Sequence, residues 1–147
     1  KRIYTIVLKA FLHGLYYNLN NNTTGFDIDK KVREVINENS QEGFGFSHGT
    51  GHGVGIPVHE SPPRLGPSEG SKTKLEQGMC FSIEPGLYKP DWGGVRLENT
   101  VCIVEENNKP KIESLTRCKF DENLIYFSLL NAQEYEWYKD YKKKAIG

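Results

Sequence analysis

The ten residues from Phe46 to Gly55, Phe-Ser-His-Gly-Thr-Gly-His-Gly-Val-Gly, restrict this chain more than any other stretch of it. Gly49, Gly51, Gly53 and Gly55 stand at every second position. Each would cost a helix about 1 kcal/mol relative to alanine, whereas a backbone pressed against another strand or a ligand needs their missing side chains. The familiar glycine-loop motifs do not fit. A dinucleotide-binding loop wants a third glycine where Val54 stands, and a phosphate loop wants a Gly-Lys-Ser/Thr that never follows. A zinc-protease helix wants glutamate directly after His48, where Gly49 stands. An extended segment remains, with His48 and His52 projecting from one face. Read alone, the same stretch is equally a glycine-rich loop whose imidazoles are merely solvated. His59, followed by Glu60 and a proline-rich loop, adds a third imidazole nearby.

On either side of this segment the texture differs. Ile3, Ile6, Val7, Ala10, Phe11, Gly14 and Leu15 recur at helical spacing and predict a helix with one buried face, ending before Asn18 to Asn22. A polar turn from Asn20 to Gly25 follows, and Asp27 or Asp29 is expected to cap a second helix carrying Ile28, Val32, Val35 and Ile36. Beyond Gly43, Pro57, Pro62, Pro63 and Pro67 break helices and the apolar runs shorten to strand length. Met79 to Ile83 and Val95 to Val104 read as an antiparallel pair of strands, separated by Pro85, Gly86, Pro90, Asp91, Gly93 and Gly94. Leu129, Leu130, Tyr135, Trp137, Tyr138 and Tyr141 suggest a last segment with a helix ending in Lys142 to Lys144, which either finishes the core or meets a second copy.

A chain of 147 residues suffices for one domain or part of one, burying roughly 70% of its unfolded surface. Its 19 basic and 19 acidic side chains cancel, so no global field draws it to nucleic acid or an anionic membrane. Cys80, Cys102 and Cys118 are odd in number and lack a C-x-x-C pair, which argues against a disulfide framework or a zinc ribbon and for a reducing, cytoplasmic location. No apolar run approaches the ~18 residues of a membrane span, and Lys1 to Tyr4 do not resemble a signal peptide.

Two carboxylates stand out. Glu84 ends the apolar run Met79 to Ile83 and is followed by Pro85 and Gly86, while Glu98 lies within Val95 to Val101. A carboxylate inside an apolar strand needs a partner or a metal. The plain alternatives are a salt bridge from Glu98 to Arg96, and for Glu84 a strand end that reaches water. With His52 the two carboxylates form a donor set suited to Mn, Zn, Co or Fe(II). Three donors hold one ion with an open position, and a second ion about 3.5 to 4 Å away needs further carboxylates.

Taken in order, His48-Gly-Thr-Gly-His52-Gly-Val-Gly, Val58-His59-Glu60, Ser82-Ile-Glu84-Pro-Gly and Gly94-Val-Arg-Leu-Glu98-Asn resemble the pita-bread metallopeptidases, the family of methionine aminopeptidase, prolidase and aminopeptidase P. Glu84-Pro-Gly-Leu-Tyr88, Arg96-Leu-Glu98-Asn-Thr and the tail from Leu129-Leu130 through Glu136-Trp137, Asp140 and Tyr141 look most like the aminopeptidase P branch. The resemblance covers nearly the whole chain and is weakest from Lys1 to Glu42. It implies an α+β fold, the C-terminal part of a pita-bread domain, with helices packed on a curved antiparallel sheet. Residues 1–117 would belong to the catalytic domain, and residues 118–147 to an extension on that domain or at a dimer interface. It implies His52, Glu84 and Glu98 as metal ligands, with Glu98 bridging and Glu84 also the general base. His48 and His59 would position substrate and stabilise charge on the scissile carbonyl, and Tyr88 and Arg96 would bind substrate. The implied reaction is release of the first residue from a peptide with proline second, through a metal-activated hydroxide. It would use two divalent ions, Mn ahead of Zn or Co, in a homodimer joined through the C-terminal region.

The implied two-ion site also takes two aspartates from a hairpin preceding the first helix, upstream of Lys1. Asp27 and Asp29 follow that helix and read as caps rather than substitutes, and His13 lies inside it instead of replacing the upstream substrate-contacting histidine. The expectation is that this polypeptide alone binds metal weakly and lacks activity unless an amino-terminal chain completes it. A prolidase acting on dipeptides is the enzymatic rival. The other rival is a pita-bread module that binds without catalysis, which the retained donors disfavour.

Overall fold

The computed structural model describes residues 1–39 and 41–146. It opens with helices α1 (Arg2–Leu15) and α2 (Gly25–Glu38). α1 is buried on most of its circumference, because Thr5, Leu8 and Leu12 are covered as well as the predicted face. The reason is its central place, touching α2, the sheet and the C-terminal helix at once. A helix enclosed in this way has no polar stripe to show.

α2 corrects the expected cap. Thr24 is the N-cap, its hydroxyl accepting from the Asp27 amide while the Asp27 carboxylate accepts from the Thr24 amide at 2.8 Å. Asp27 is therefore the second half of a capping box. Asp29 lies inside the helix and is buried.

The strands follow in chain order: β1 (Gly51–Gly53), β2 (Glu60–Leu65), β3 (Cys80–Ile83), β4 (Gly86–Lys89), β5 (Gly93–Arg96), β6 (Asn99–Glu106) and β7 (Lys109–Ser114). Five of them form an antiparallel sheet in the order β2-β1-β3-β6-β7, and β4 and β5 form a separate two-stranded ribbon. The alternating glycines find their reason in β1, which is squeezed between two neighbours. A Cβ on Gly51 would stand 1.8 Å from the Ser82 carbonyl oxygen, and one on Gly53 2.2 Å from that of Glu60.

The strand expected from Val95 to Val104 is broken at Leu97 and Glu98, so its first part pairs with β4 and its second with β3. Opposite that break, Glu84 and Pro85 interrupt the partner chain, where proline has no amide to give the ladder. The register nonetheless carries through: Ile83 pairs with Asn99 before the gap and Gly86 with Arg96 after it, which sets Glu84 opposite Glu98.

The chain ends in α3 (Ala132–Lys144), capped by Asn131 with Glu134 in a second capping box. α3 lies against α1: Trp137 stacks on Tyr16 at 5.5 Å, and Tyr141 meets Phe11 edge-on at 6.0 Å. Glu134, 2% exposed, accepts from His13 at 3.0 Å and pairs with Lys9 at 3.5 Å. Tyr138 and Tyr141 are buried, while Tyr135 is 42% exposed and adds little to the core. Among the described residues no helix is long and apolar enough to cross a membrane.

Candidate metal centre

β1 delivers His52 to the mouth of the sheet. Its Nδ1 lies 2.8 Å from the Gly53 carbonyl oxygen, a pure acceptor, so that nitrogen carries the proton. In the neutral ring the unprotonated Nε2 then faces Glu84 Oε1 at 3.2 Å. Neighbouring bonds fix both groups. The His52 amide donates to Ser82 Oγ at 3.0 Å, the Ser82 hydroxyl donates to Glu84 Oε1 at 2.9 Å, and the Glu84 amide donates to the Thr50 carbonyl at 2.7 Å.

Glu98 completes the cluster from across the ladder break. One donor atom each from His52, Glu84 and Glu98 lie within 4.8 Å of one another. Glu98 is exposed, a correction to its expected burial in an apolar strand. Its need for a partner comes from charge, since like charges directly opposite across an antiparallel pair repel. Arg96 offers only partial relief, its Nη1 3.9 Å from Glu84 Oε2 and its side chain 46% exposed. A cation between the donors removes that repulsion. Donors set at right angles about 2.1 Å from an ion are ~3 Å apart, so the observed 3.2 Å separation suits a divalent metal.

Of the other predicted residues, His48, His59 and Arg96 line an open cavity of about 500 Å³ together with His52, Glu60 and Glu84, whereas Tyr88 and Glu98 are not part of its wall. His48 is not on a strand face shared with His52, since β1 begins only at Gly51 and His48 lies in a bend before it. It reaches the cavity all the same. Its Nδ1 bonds the Gly49 carbonyl at 2.7 Å, which leaves Nε2 to accept from the Tyr88 hydroxyl at 2.7 Å. Tyr88 in turn accepts from Arg96 Nε at 2.8 Å. That bond, with the Glu84 and Glu98 charges nearby, raises the Arg96 guanidinium above its ordinary value. His59 is exposed, its ring centroid 4.1 Å from that of His52.

Sequence reasoning missed Asp29, Arg33, Thr50 and Ser82 as supports of this cluster. A signal existed for the first two: Thr24 and Asp27 are spaced as a capping box, which frees Asp29 to pair with Arg33 one turn on.

Helices backing an antiparallel sheet, with an imidazole and two carboxylates converging at one end, define an α+β protein built around a site competent for a divalent metal. The model of metallopeptidase family M24 matches residues 1–105, and the chain belongs to that family. The X-prolyl aminopeptidase of Caenorhabditis elegans, described as a cytosolic enzyme with a dinuclear active site, superposes with a TM-score of 0.83 at 30% identity, covering 97% of this chain and 24% of its own. A Laccaria bicolor protein named "Probable Xaa-Pro aminopeptidase P" is 37% identical over 153 residues, 96% of this chain and 23% of its own length. The prolidase of Pyrococcus furiosus superposes with a TM-score of 0.70 at 36% identity, covering 80% of this chain and 32% of its own. The chain thus spans 23% of the fungal relative and 24% of the nematode enzyme.

Proposed function

We propose that this chain contributes His52, Glu84 and Glu98 to the metal centre of an aminopeptidase that releases the first residue from peptides with proline second. The observation that carries the reading is the unbroken register that sets Glu84 opposite Glu98, with the His52 lone pair 3.2 Å from Glu84. A divalent ion there, manganese ahead of zinc or cobalt for a set dominated by carboxylates, supplies the charge that acidifies water and polarises a carbonyl. Glu84 and Glu98 would both hold metal, Glu98 in the bridging role, and Glu84 would also serve as general base towards water. His48 would bring its imidazole from Tyr88 to the scissile carbonyl, where an Nε2 that carries a proton donates to the developing charge. His59, at the mouth, positions the peptide, and Tyr88 and Arg96 bind it.

Two ions need more donors than these three. The polypeptide of residues 1–147 alone is therefore expected to bind metal weakly and to lack activity, and robust turnover by it would contradict the reading. Residues 1–117 belong to the catalytic domain in this account, and residues 118–147 form an extension. Exposed Leu124, Tyr126, Phe127 and Tyr135 in that extension support a homodimer contact. The cytosolic description of the nematode relative supports a cytoplasmic location.

Likeness to the fungal relative and the nematode aminopeptidase, which align with 96% and 97% of the chain and so include its tail, supports aminopeptidase over prolidase. The test is hydrolysis by the complete protein with Mn(II), comparing a tripeptide bearing proline second with an Xaa-Pro dipeptide. Cleavage of the tripeptide at its first bond is expected; cleavage of the dipeptide alone would make the protein a prolidase, and cleavage of neither would favour a binding module.

A further inference from the structure

Asp29 and Arg33 sit one turn apart on α2, outside the cavity, and every polar contact described for them beyond their own bond goes to the loop that carries His48 and His52. The Asp29 side chain is 2% exposed and accepts from Arg33 Nε at 2.7 Å with one oxygen. With the other it accepts from the Thr50 hydroxyl at 2.8 Å and the Thr50 amide at 3.3 Å. Arg33 spends its remaining nitrogens on backbone carbonyls, Nη1 on Phe46 at 3.1 Å and Nη2 on His48 at 2.6 Å, with its plane 4.4 Å over the Phe46 ring.

The route continues to the donors. Thr50, held by Asp29 through its amide and hydroxyl, accepts the Glu84 amide at 2.7 Å on its carbonyl, and His52 lies two residues further on, in β1. The glycines flanking Thr50 let the loop approach its neighbours closely, and glycine-rich backbone has many alternatives to any one conformation. A fork that binds two carbonyls at once, anchored by a buried carboxylate, removes those alternatives in a way that apolar packing around glycines does not.

We propose that Asp29 and Arg33 are a positioning pair for the metal centre, locking the loop from Phe46 to Thr50 so that His52 meets Glu84 and His48 meets Tyr88. The proposal rests on the metal reading above and says how α2 controls that site.

The experiment uses the complete protein, stripped of metal and titrated with Mn(II) and Co(II) by calorimetry, with Tm, kcat and KM measured on the same samples. Asp29→Asn removes the charge and keeps the shape; Arg33→Lys keeps the charge and loses the fork. Ile28→Val, in the buried face of the same helix, reports what lost stability alone does. Outer supports of metal ligands change affinity about 10- to 100-fold, and a loss in that range is expected for Asp29→Asn and Arg33→Lys. At saturating metal kcat should still fall, from misplaced His48, with KM moving far less. Ile28→Val should lower Tm and leave affinity and kcat unchanged. If Asp29→Asn does not fold, Arg33→Lys decides. Parental affinity in both Asp29→Asn and Arg33→Lys, or losses that follow Tm across all three variants, would overturn the proposal. A parent that takes up neither ion would overturn the metal reading and the proposal with it, a result seen before any variant is made.

Discussion

Glu84 stands directly opposite Glu98 at the point where one strand ladder hands over to the next, with no change of register across the gap. In metal-free protein this relationship is a cost, since like charges so placed are destabilising. Glu98→Gln should therefore raise the stability of the metal-free protein by about 0.2–1 kcal/mol. The same substitution should remove most of the rise in Tm that Mn(II) gives the parent. Denaturation with and without the ion measures both. A metal-free loss of stability would mean that the two carboxylates are already satisfied by the protein.

Tyr88 ties His48 to Arg96 through its hydroxyl. His48→Ala removes the imidazole proposed to meet developing charge and should lower kcat on the order of 10²-fold with little change in Tm, because the ring is only half-buried. Tyr88→Phe should have a smaller effect on kcat, since it releases His48 without deleting it. Steady-state kinetics on a peptide with proline second separates the two, and equal losses would show that the tyrosine hydroxyl itself acts on substrate.

Gly51 offers a test of the strand packing that presents His52. Gly51→Ala places a methyl group against the Ser82 carbonyl, so β1 must separate from β3, at a cost of ~3 kcal/mol. Gly45→Ala, where nothing lies within 4 Å of the added carbon, should be nearly neutral. Urea unfolding compares them. Similar midpoints would mean that the two strands are not packed this closely.

The helix pair α1–α3 carries a pH dependence. Burial pushes the Glu134 pKa up, but hydrogen bonds from His13 and the Asn131 amide, with the Lys9 and His13 charges, outweigh it and leave the group below the ordinary glutamate value of 4.5. A lowered folded-state pKa adds stability above the unfolded value and loses it as pH falls through the folded one. Urea midpoints should drop more steeply in the parent than in Glu134→Gln as pH is lowered from 6 towards 3, and parallel slopes would exclude this group as the source.

The helices and some strands were legible because burial imposes a period on the sequence: Ile28, Val32, Val35 and Ile36 mark α2, and Phe81 and Ile83 mark β3, whereas β2 with its Pro62 and Pro63 reads as a loop, β4 as a turn, and β7 shows no such pattern. The trio His52, Glu84 and Glu98 was legible from residue type and order, and the structure brings it together. The break at Glu98 was not, because Val95 to Val104 keeps its apolar alternation across a gap that only pairing partners reveal. Asp29 was hidden for a different reason. Its binding partner Thr50 is distant in sequence, and an aspartate near a helix start looks like a cap until Thr24 is recognised as one. Long-range hydrogen bonds leave no periodic trace.

The most direct test of the account is calorimetric titration of the metal-free complete protein with Mn(II), comparing the parent with His52→Ala, Glu84→Gln and Glu98→Gln. The account predicts saturable binding in the parent and a loss of more than ~100-fold in affinity from each substitution, beyond the 10- to 100-fold range of an outer support. Parental affinity in all three variants would contradict it.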